Sequence, residues 1–131
     1  LNERAPVDRV RESLELVARG DFDALRDFYA EDVVWHVGGN HSLSGDYRGR
    51  DALIGYFERV RSLTDATLTI EPQSILVSDQ HVAMFTNVKA ERDGKHMDVV
   101  LAQVFKIGPD DRWSEYWALA DDQASVDAFW S

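Results

Sequence analysis

Apolar positions along the chain follow two rhythms, helical in the first half and strand-like in the second. Val7, Val10, Leu14 and Val17 recur at helical spacing with charged residues between them, which predicts an amphipathic helix over residues 6–19. Pro6 suits its first turn and Gly20 its C-terminal cap. Asp21 is placed to cap a second helix with Phe22, Leu25, Phe28 and Tyr29 on its apolar face. Residues 32–37 then alternate, Val33, Trp35 and Val37 on one side and Val34 and His36 on the other, as a strand does. Gly38 and Gly39 break that strand, and a polar loop with Asn40, His41, Ser42, Tyr47 and Arg48 follows. Asp51 predicts the N-cap of a third helix through Arg61, with Leu53, Ile54, Phe57 and Val60 buried.

From Thr67 the pattern changes to β-branched residues, and Pro72 within Thr67–Val77 marks a bulge or an edge strand. His81–Glu91 and His96–Ile107 read as long strands joined by Arg92-Asp93-Gly94-Lys95, where Asp-Gly is a hairpin signal. Gly108-Pro109-Asp110-Asp111 makes the next turn, Trp113–Leu119 the last strand, and Asp121–Trp130 a short capped helix with Val126, Phe129 and Trp130 as its face. Helices grouped before consecutive antiparallel strands predict an α+β fold in one domain, residues 1–131. The expected shape is a curved antiparallel sheet wrapped around the N-terminal helices, a cone whose open interior suits a ligand.

Charge narrows the partners. Twenty-four acidic against 14 basic residues give a net charge of −10, which argues against nucleic acid and against an anionic membrane surface. With no cysteine, disulfides, thiol catalysis and thiolate metal sites are excluded. No apolar run is long enough to span a bilayer, and no signal peptide is visible in the residues from Leu1 onward. A cytoplasmic setting is expected.

The words FYAEDVVWH, LSGDYRGRDAL leading into YFERV, VVLAQVFKI and SEYWALADD, spread over nearly the whole chain, carry a resemblance. The chain resembles the nuclear transport factor two-like superfamily, in particular its SnoaL-like branch of polyketide cyclases and ketosteroid isomerase-related proteins. That resemblance implies a cone-shaped, cystatin-like topology around a deep apolar pocket, a homodimer, and proton transfer by a pocket carboxylate or histidine. It also implies a glutamine or histidine pair on the penultimate strand and an aspartate on the last. Gln103 matches the first, whereas Phe105 and Trp117 stand where other polar groups belong. The first helix lacks the tyrosine of the steroid isomerases.

Strand parity selects the candidate site. Met97, Val99, Leu101, Gln103, Phe105 and Ile107 share one uncharged face, assigned to the interior. Gln103 then bonds either a ligand, or a neighbouring side chain or water. Trp113, Glu115 and Trp117 share a face of the last strand. If that face points inward, desolvation makes Glu115 a general acid or base; the other reading pairs it with Arg48 or Arg50. His36 and His41 are further proton-transfer candidates because histidine titrates near neutrality. Trp35, Tyr56, Phe105 and Trp117 are candidate apolar walls for a flat ligand, or ordinary core. The spacing of the histidines fits no standard metal geometry, so neither a metal nor a cofactor is expected.

The leading expectation is a SnoaL-like enzyme acting on a small hydrophobic or aromatic molecule by cofactor-free acid–base chemistry of isomerase, cyclase or hydrolase type. A non-catalytic carrier with an apolar cavity is the second. A dimerisation module using the sheet face of Val100, Ala102 and Val104 is the third.

Overall fold

The structure, a computed structural model, describes residues 4–131. Helix α1, Arg4–Arg19, buries Val10, Ser13 and Leu16, and the Ser13 hydroxyl is satisfied by donating to the Val10 carbonyl at 2.7 Å. Asp21 caps α2, Phe22–Leu25, through the Ala24 N–H. That helix is one turn long and passes into a 3₁₀ turn, Arg26–Phe28, before strand β1, Tyr29–Val37.

The polar loop contains an element the hydrophobic pattern does not announce: strand β2, Gly45–Arg48, antiparallel to β1. Helix α3, Arg50–Leu63, starts one residue before Asp51 with Gly49 at its N-cap, so Asp51 lies in the first turn and pairs with Arg26. Its buried face is Leu53, Ile54, Phe57 and Val60, as the periodicity predicts.

Strands β3, Thr69–Val77, β4, His81–Arg92, β5, Lys95–Ile107, and β6, Trp113–Ala120, are consecutive antiparallel neighbours. Pro72 marks both features expected of it, a register shift and the edge position. Asp93 and Gly94 close the β4–β5 hairpin with φ of 49° and 76°, the left-handed pair that a two-residue turn requires. The six strands run in the order β2-β1-β6-β5-β4-β3, and β1 joins β6 in parallel. The sheet is therefore mixed and not closed, curved over the helices in an α+β arrangement. Helix α4, Gln123–Trp130, is capped by Asp122 and contributes Phe129 and Trp130 to a core cluster with Leu43, Val60, Val88 and Met97. Among the described residues no helix is long and apolar enough to cross a membrane.

Candidate functional site

Between the concave sheet face, α3 and α4 lies a cavity of about 140 Å³. The inward side chains of β5, Met97, Val99, Leu101 and Gln103, form its floor, as parity predicts. Trp35, Tyr56, Tyr116, Ala118, Val126 and Trp130 form its walls. Trp35 stacks flat on Tyr116, with ring centroids 3.6 Å apart and 9° between planes. Among the described residues no carboxylate lines the cavity.

The polar content is a buried string across three strands. The Tyr116 hydroxyl donates to Gln103 Oε1 at 2.8 Å, Gln103 Nε2 donates to Thr86 Oγ1 at 2.6 Å, and Thr86 Oγ1 reaches the Leu101 carbonyl at 3.5 Å. Gln103 thus bonds neighbouring side chains through Oε1 and one of its two amide hydrogens, one of its two expected fates. Burial pushes the phenols of Tyr116 and Tyr56 above their ordinary range, so both stay neutral. Tyr116 escapes a reading by parity alone, because a register shift at the start of β6 intervenes, whereas Thr86 keeps the regular alternation of β4 with Val82, Met84, Val88 and Ala90 and could have been found from it.

That shift decides the fate of two candidates. β5 residues Lys106 and Ile107 face Glu115 and Trp113, which leaves Ser114 as the extra residue of a bulge. Trp113 points inward, and past the bulge the inward set becomes Tyr116, Ala118 and Ala120. Glu115 and Trp117 consequently stand on the outer face, which corrects the inward placement of the odd-numbered set. Glu115 pairs with neither Arg48 nor Arg50: its Oε2 lies 2.7 Å from His36 Nε2. Arg48 sits 3.6 Å from Asp46, and Arg50 donates to the Tyr29 carbonyl.

Residues 35–38 run along the cavity wall, Trp35 facing in, but the His36 ring leaves for the outer face. There Asp46 holds its Nδ1 at 2.7 Å, Glu115 its Nε2, and Trp117 stacks beside it at 5.9 Å. The bond to Glu115, and next that to Asp46, raises the pKa of His36. Phe105 keeps the predicted face yet packs against Trp35, Trp113 and Tyr116 in the core instead of meeting the cavity. Of the candidates, Trp35, Tyr56, Gln103 and His41 meet at the cavity, and the His36 side chain, Glu115, Phe105 and Trp117 do not.

His41 lines the cavity. Its Nδ1 accepts the Leu43 N–H at 3.1 Å, and desolvation lowers its pKa, so the neutral ring carries its proton on Nε2. The same loop is latched to α4. The Asn40 N–H donates to Asp127 Oδ1 at 3.0 Å, and the Ser42 hydroxyl donates to the Trp130 carbonyl at 2.7 Å. Gly39, at φ 83°, lies so close beneath α4 that an added Cβ would meet Gln123 Nε2 at 2.2 Å. On the far side, Arg92 and Lys95 of the β4–β5 hairpin donate to the Phe129 and Ala128 carbonyls.

The model of the SnoaL-like domain matches residues 10–116. The chain belongs to the SnoaL-like family. An uncharacterised protein of Mycobacterium tuberculosis is 31% identical over 134 residues, covering the whole of both chains. Among solved structures, Bal32a from a soil-derived mobile gene cassette superposes with a TM-score of 0.91 at 28% identity, covering 96% of each chain. SalBIII, described as an epoxide hydrolase/cyclase-like enzyme in pyran ring formation in the polyether salinomycin, superposes at 0.74 with 18% identity over 91% of this chain and 92% of its own. At that identity the likeness to SalBIII is one of fold.

Proposed function

We propose that this SnoaL-like chain binds a small hydrophobic or aromatic molecule between Trp35, Tyr116 and α4. The observation that carries this reading is the apolar cavity with one polar string in its floor. Its volume of about 140 Å³ is close to that of an engineered apolar cavity, about 150 Å³, that accepts benzene. A single ring fits, with larger groups extending through the mouth. The test is ligand-observed NMR with one-ring aromatics against the wild-type chain and an Ala118→Phe variant that fills the cavity. Saturable binding that weakens at least tenfold in the folded variant supports the reading; equal affinity in both, or no binding, refutes it.

Proton transfer on the bound molecule is the second reading, favoured by a specific group: a neutral histidine, His41, in the cavity lining. SalBIII's chemistry makes an epoxide or cyclisation substrate the first class to try. Replacing His41 by Gln should then abolish turnover while leaving binding within about twofold. Unchanged turnover in that variant would remove His41 from the chemistry.

A further inference from the structure

Within the binding reading proposed above, on which it rests, the buried string also specifies what kind of oxygen the cavity accepts. Tyr116 and Thr86 each bring one hydroxyl hydrogen and Gln103 brings two amide hydrogens. In the observed orientation the hydrogens pass in one direction. Tyr116 gives to Gln103 Oε1, Gln103 gives to Thr86 Oγ1, and Thr86 gives to the Leu101 carbonyl. One amide hydrogen of Gln103 is left over. With the amide turned round, Thr86 would give to Gln103 and Gln103 to Tyr116, leaving both the Tyr116 hydrogen and an amide hydrogen without acceptors. The observed direction therefore makes one more hydrogen bond, and a buried donor left unpaired is costly. A backbone carbonyl can only accept, so the Leu101 oxygen sets the polarity of the whole string through Thr86.

The consequence reaches the cavity. Tyr116 has spent its hydrogen inside the wall and offers an incoming molecule only lone pairs, while Gln103 offers its remaining N–H. A hydroxyl, which both donates and accepts, satisfies the two; a carbonyl satisfies only Gln103. We propose that Thr86, buried and outside the cavity lining, is a positioning residue that makes the site prefer a ligand alcohol or phenol over the corresponding carbonyl compound.

Benzyl alcohol, benzaldehyde and toluene share a skeleton and test this by titration calorimetry. The wild-type chain should bind the alcohol about fivefold more tightly than the aldehyde, the size of one net hydrogen bond. Replacing Thr86 by Val frees Gln103 to turn, and the alcohol-to-aldehyde ratio should fall to about one or invert. Thr86→Ser keeps a hydroxyl and should keep the wild-type ratio. If Thr86→Val does not fold, judged by its thermal melt, Thr86→Ala takes its place and should likewise erase the preference. A wild-type ratio near one, or a ratio unchanged in the folded Thr86→Val or Thr86→Ala variant, overturns this inference and leaves the binding reading standing. Failure of all three probes to bind overturns both.

Discussion

His36 is held between two carboxylates, each 2.7 Å from a ring nitrogen, so both nitrogens donate when the ring is charged. Its raised pKa means that the folded state binds the proton more tightly than the unfolded chain. The stabilisation is complete below the unfolded value, about 6.5, and is lost as pH rises through the folded pKa. His41 has the opposite sign. Its pKa is lowered by burial, so its share is intact above about 6.5 and is lost as pH falls through the folded pKa, when Nδ1 must give up the Leu43 N–H. Urea midpoints measured across pH should therefore decline on both sides of neutrality from these two groups. His36→Gln should flatten the alkaline decline and His41→Gln the acid one. A His36→Gln profile that keeps the wild-type alkaline slope would contradict the first assignment.

At the scale of elements, the turn after α3 holds Asp65 and Ala66 at φ 51° and 58°, and the Ala66 N–H closes onto the Arg61 carbonyl. A Cβ in that left-handed region costs about 1 kcal/mol, so Ala66→Gly should stabilise the fold by about 0.5 kcal/mol after the added chain entropy. A raised melting temperature is the expected result, and a lowered one would count against the strain. The helices and the β4–β5 hairpin were legible because local signals, an apolar stripe at helical spacing and Asp93-Gly94, define them. β2 was not, since Gly45-Asp46-Tyr47-Arg48 has too few apolar residues to carry a period. Its existence depends on pairing with β1, as the parallel β1–β6 contact depends on residues about 80 positions apart. The candidate site divides along the same line. Trp35, Gln103 and Tyr56 could be placed by the regular alternation or helical spacing of their own elements. Glu115 and Trp117 could not, because one bulged residue, Ser114, reverses the faces of β6 and leaves no mark in the sequence beforehand.

At the scale of the molecule, the outer sheet face carries Leu76, Phe85, Trp117 and Leu119 in the open, at 66%, 51%, 38% and 77% exposure. Register places Leu76, Ala83, Val104 and Trp117 in one row across four strands, with Phe85, Ala102 and Leu119 in the next. Lys106 beside Glu115 flanks the first row, and Lys89 beside Asp98 lies two rows beyond the second, so a two-fold copy can set unlike charges opposite each other. We propose that a second copy of this chain covers the face as a homodimer. Sedimentation equilibrium should give a dimer for the wild-type chain and a monomer for a Phe85→Lys, Leu119→Lys double variant. A wild-type monomer at high concentration would dismiss the pairing.

The latch between residues 39–42 and α4 bears on time as well as on strength. We propose that a guest wholly enclosed behind it leaves when the Asn40 and Ser42 bonds part, so that its entry and exit wait on the same local opening. Cutting one bond shortens the stay. Two molecules of equal affinity, one wholly enclosed and one protruding from the cavity, would then differ in how long each remains.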